Sequence, residues 1–107
     1  MTKITEYGIK IIMDEEKILR EKKYTLEEIY QNIDDEAEFA QMKKIDKYYY
    51  VSKNDTPTDL GCFVFSNLEE RDWFINNVKK VIWYDKDDGE HEILDFIKEE
   101  IENEKVS

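Results

Sequence analysis

The sequence predicts a single α+β domain over residues 1–107, a small and mainly antiparallel sheet of three to four strands packed by helices. Three observations carry this reading. Short runs rich in β-branched and aromatic residues alternate with period two. Two Ser/Thr-x-x-Glu signatures mark helix starts. Only one Pro and three Gly interrupt the chain, and 40% of its residues are apolar, enough for one core of ordinary size.

Residues 6–12 open the chain as a strand, with Tyr7, Ile9 and Ile11 on one side. Residues 14–22 are charged around Ile18 and Leu19 and read as a short helix. Thr25 and Glu28 form a capping box, and Leu26, Ile29, Tyr30, Ile33, Ala37 and Ala40 follow as one helical stripe. Residues 47–52 read as a second strand and 60–65 (LGCFVF) as a third, joined as a hairpin across KNDTPTD. Ser66 and Glu69 form the second capping box. It opens a helix with Leu68, Trp73, Phe74, Ile75 and Val78 inward, ending near Lys79 and Lys80, where cations suit the helix dipole. Residues 81–84 (VIWY) fit either a fourth strand or the buried tail of that helix. DKDDG is a turn, and residues 90–104 form a last helix with Ile93, Leu94, Ile97 and Ile101 inward.

The charge is unevenly placed. The formal net charge is -11, with 27 acidic against 16 basic side chains. Residues 26–40 hold six acids, among them Asp34, Asp35, Glu36 and Glu38, and no Lys or Arg. Residues 85–107 hold ten acids, among them Asp85, Asp87, Asp88, Glu90 and Glu92, against three lysines. Such a chain repels nucleic acid and is drawn to proteins that bind nucleic acid. The expected partner is therefore a basic protein, with no direct nucleic-acid contact. The two blocks are expected to form one anionic face. Trp83 and Tyr84, beside the second block, are its expected aromatic anchors where exposed, the acids supplying steering. Carboxylates on a helix face lie about 5–6 Å apart, against one charge per roughly 1.7 Å of duplex. Mimicry of nucleic acid would match single phosphates and not their density.

Familiar catalytic patterns are missing. There is no glycine-rich phosphate loop. The single histidine, His91, reads as an exposed residue at a helix start, and the single cysteine, Cys62, as a small core residue in a strand. The stretch 85–90 fails as a calcium loop, because Gly89 falls one place early and Phe96 stands where a bidentate Glu is needed. No catalytic residue, cofactor or metal ligand is expected. One cysteine suits a reducing compartment, the first residues show no leader pattern, and no apolar run is long enough for a membrane span. A cytoplasmic protein without membrane contact is expected, and some apolar residues are available for a homodimer.

A second reading takes the order helix (14–22), helix (26–33), helix (35–43), strand (47–52), strand (60–65) as a winged helix. Lys43, Lys44 and Lys47 would then sit near a recognition helix. The six acids ahead of those lysines argue against DNA reading and for a protein-binding version.

The segments KYTLEEIYQNIDD, KIDKYYYV and FVFSNLEERDWFINNVKKVIWYDKDDGE, spread over about residues 22–90, resemble small acidic proteins of bacterial mobile elements and phages. In size and acidity the chain is similar to anti-CRISPR and anti-restriction proteins. The resemblance implies a non-enzymatic inhibitor that binds a CRISPR effector nuclease or its guide complex, a type II effector first among them, whose channels are basic. It carries no functional residue across.

Overall fold

The computed structural model describes residues 6–106. Five antiparallel strands form one sheet: β1 (Gly8–Met13), β2 (Met42–Asp46), β3 (Tyr49–Ser52), β4 (Val78–Asp85) and β5 (Gly89–Glu92), in the spatial order β2-β3-β1-β4-β5. Five helices accompany it: α1 (Glu15–Glu21), α2 (Leu26–Phe39), α3 (Pro57–Gly61), α4 (Asp72–Ile75) and α5 (Leu94–Val106). The α+β class stands, with one strand more than the upper expectation.

Alternation along β1 sets the layers. Ile9, Ile11 and Met13 point into the core, where Ile9 lies opposite Tyr50 and Trp83, and Ile11 opposite Val81. Ile29, Ile33 and Ala37 of α2, Ile18 of α1 and Ile97 of α5 close over this face. Thr25 caps α2 as the sequence requires: its hydroxyl accepts from the Glu28 amide at 3.0 Å, and the Glu28 carboxylate accepts from the Thr25 amide. The helix is continuous through residues 32–35.

The opposite face of the sheet presents Lys10, Tyr49, Val51, Ile82 and Tyr84. Val51 and Ile82 are only 5% and 7% exposed. The Tyr49 and Tyr84 rings meet edge to face at 5.5 Å. Gly8 is required beneath them, because a Cβ there would stand 2.6 Å from the Tyr49 hydroxyl.

Residues 60–65 are not a strand. Thr56 caps a helical turn that Pro57 opens, and the chain continues through a π-helical segment, Cys62–Asn67, into a 3-10 turn, Leu68–Glu70. Leu60, Phe63, Val64 and Leu68 are fully buried, and their spacing of three, one and four is helical. The predicted hairpin is replaced by β2–β3, joined through Lys47 and Tyr48. Ser66 caps no helix. The chain is extended at Arg71, α4 lasts one turn, and Asn76 and Asn77 lead into β4. β4 is long because Val78, Val81 and Ile82 favour a strand and pair along the whole of β1. Residues 89–92 form β5 before the last helix begins at Leu94. A strand first, an unbroken α2 and a helical 60–65 together remove the winged-helix order.

Candidate functional site

Strand order decides how the two acidic segments relate. α2 lies over the β2–β3 end of the sheet, where Asp34 pairs with Lys44 at 3.1 Å and accepts from the Tyr50 hydroxyl. The β4–β5 hairpin forms the opposite edge. Four inter-strand steps of about 4.8 Å separate the edges, roughly 19 Å. The hairpin acids, Asp85 to Glu92, therefore lie at the edge away from α2.

Each acidic segment spends part of its charge internally. On α2, Glu36 pairs with Arg71 at 3.1 Å and Asp35 accepts from Gln31 at 3.0 Å. Glu38 is exposed and has no partner among the described residues. At the hairpin, Asp85 is the brace of the turn. Its carboxylate accepts from the amides of Asp87 and Asp88 at 2.8 and 3.1 Å, which holds it below the usual carboxylate range. Gly89 closes the turn at φ +90°, a conformation that favours glycine. Tyr7 donates to Asp87 at 3.3 Å. Lys86 pairs with Asp55 and lies 5.3 Å from the Tyr7 ring centre. Glu92 accepts from the Leu94 amide at 3.3 Å, at the start of α5. The carboxylates of Asp88 and Glu90 remain exposed, with no hydrogen-bond or ion-pair partner among the described residues. Glu104 and Lys105 of this segment lie outside the described side chains.

Both aromatic residues named as anchors where exposed are half-buried. Trp83 is half-buried on the core side, its ring 6.0 Å from Phe65. Tyr84 is half-buried on the open face against Tyr49, and burial raises its pKa. Two phenylalanines stand out instead. Phe39 is 75% exposed in the first acidic segment and Phe96 is 58% exposed in the second. Phe39 rims a cleft of about 450 Å³ shared with Asp35, Ser66, Asn67 and Glu70. Phe96 meets Phe65 edge to face at 5.9 Å and stands beside Glu99 and Glu100. The signal was in the sequence. Phe39 lies two residues past Ala37 and Phe96 one before Ile97, turned by about 200° and 100° from the buried stripes.

A further cluster escaped sequence reading because its members are far apart in the chain. Glu15 accepts hydrogen bonds from Tyr30 and, at 2.9 Å, from Tyr48. Lys47 lies over both rings, 5.4 and 5.1 Å from their centres. This cluster pins α1, α2 and the β2–β3 turn together.

The remaining chemistry is sparse. His91 is exposed on β5, in a strand and not at a helix start, and Cys62 is half-buried in the π-helical segment. Among the described residues, no group of three or more His, Cys, Asp or Glu side chains is placed to hold a metal ion. No described helix is long and apolar enough to cross a membrane.

No family model, curated protein or solved structure matches this chain.

Proposed function

We propose that this chain is a non-enzymatic binding protein that docks acid-ringed phenylalanines onto a cationic protein surface and blocks its use by nucleic acid. The carrying observation is that each acidic segment presents one exposed phenylalanine, Phe39 or Phe96. A ring that surrenders its water gives binding energy, and carboxylates around it speed encounter with a basic groove and select against acidic ones. The net charge of -11 disfavours direct nucleic-acid binding. The partner we name is a guide-loaded type II CRISPR effector nuclease. Its nucleic-acid channels are strongly basic, and the likeness to mobile-element inhibitors points the same way.

The test is a DNA-cleavage assay with the guide-loaded effector, titrating this protein at about 50 mM salt, where electrostatic attraction is strong. Stoichiometric inhibition is expected. Phe39→Ala or Phe96→Ala should weaken it by about ten-fold or more, as for a buried hot spot. Asp88→Asn with Glu90→Gln should weaken it less, and mainly at low salt. These two acids are better probes than Asp85, whose loss would also disturb the turn. Full inhibition by both phenylalanine variants, or none by the parent protein, rejects the reading.

A further inference from the structure

The two edges of the sheet are not alike. β2 carries Lys43 and Lys44, and its register with β3 shifts between Lys44 and Asp46, which leaves Ile45 as a bulge. Bulges and lysines are the usual protection of an edge against strand addition. β5 has neither. It pairs with β4 in unbroken register, from Ile82 opposite Glu92 to Asp85 opposite Gly89. The Ile93 amide donates to the Val81 carbonyl at 2.9 Å. Antiparallel ladders alternate, so the backbone N–H and C=O groups of Glu90 and Glu92 point away from β4. Glu90, His91 and Glu92 are all exposed.

We infer that β5 is a docking edge that accepts an extended basic segment of the protein partner as a sixth strand. This deepens the reading above and rests on it. Glu90 and Glu92 supply two outward N–H and two outward C=O groups, the set that a neighbouring antiparallel strand uses. The Glu90 carboxylate lies on one face of the edge, where a Lys or Arg of an added strand would meet it, while the Glu92 carboxylate is held by the Val81 and Leu94 amides and adds its charge from there. The same carboxylates repel acidic strands, which gives the edge its selectivity. Charge also decides against a second copy as occupant. β5 against β5 would bring Glu90 and Glu92 onto their own kind. β5 against β2 has matching charges but meets the Ile45 bulge, and a head-to-tail pairing of that sort leaves open ends.

The probe is an acetylated, amidated peptide of alternating lysine and valine, titrated into the isotope-labelled full chain at low salt. Hydrogen exchange of the Glu90 and Glu92 amides should slow by about ten-fold or more at saturation, with no protection along β2. Glu90→Gln removes the charge and keeps the amide, and should weaken peptide binding by a few-fold. Glu90→Pro removes the outward N–H as well, at an edge position that tolerates proline, and should weaken it by about ten-fold or more. Equal weakening by the two variants overturns strand addition, as does a bound peptide that leaves both amides exchanging freely. The amide readout uses the unaltered protein, so it decides even where the proline variant fails to fold. Shifts confined to the acids of α2 and α5 would overturn the edge and leave the acid patches standing. Failure of those patches is read separately, in the cleavage assay with Phe39→Ala and Phe96→Ala.

Discussion

Single side chains divide into those that build and those left to contact a partner. Glu15 builds. Its carboxylate titrates below its ordinary value of 4.5, chiefly because Tyr30 donates to the ionised form, with Tyr48 second. Burial and the carboxylate together push the Tyr30 phenol upward. A lowered carboxyl pKa stabilises the fold above the unfolded value, and that contribution is lost as pH falls through the folded value. The stability that Glu15 contributes should therefore fade below about pH 4.5. Glu15→Gln should flatten that limb and cost about 1 kcal/mol at neutral pH, since the carboxylate is partly exposed and its bonds are discounted accordingly. Denaturant melts across pH check both. Asp88, Glu90 and Glu38 carry no such internal duty, which is why substitutions there isolate binding from folding.

Among the elements, the segment from Pro57 to Glu70 bears most on the fold. It brings Leu60, Phe63, Val64 and Leu68 into the core, and Phe63 meets Tyr50 edge to face at 5.3 Å. Phe63→Ala should cost about 3–5 kcal/mol, measured by urea unfolding. Phe65→Ala, at the half-exposed end, should cost less. The same segment shows what the sequence could reveal. Strand β1, helix α2 with its Thr25 cap and the 85–89 turn were legible, because each is set by local periodicity or local hydrogen bonding. LGCFVF was misread because a short apolar run satisfies both periods; the helical one appears only when Leu68 is included. β2 gave no signal, since four of its five side chains face water. The Phe39 and Phe96 patches were legible as residues out of phase with their helices. The separation of the hairpin acids from α2 was not, because strand order depends on pairings far apart in the chain.

The whole molecule carries more negative charge than it neutralises. Four ion pairs join described side chains, against a net charge of -11. Self-repulsion should then outweigh attraction, and screening should relieve it. Raising sodium chloride from about 10 to about 150 mM is expected to raise the melting temperature, measured by circular dichroism. A fall would mean that the ion pairs dominate. The same salt should slow association with a cationic partner, so stability and binding rate are expected to move in opposite directions.

Strand β1 occupies the middle of the sheet, and during synthesis Ile9 waits for Trp83 before its second neighbour exists. At synthesis rates of about 5–20 residues per second, that delay is roughly 4–15 s. During it, a nascent chain holds an oily ribbon with a bare flank. Production of this protein in a cell is thus tied to translation speed and to the chaperones that meet the chain as it emerges.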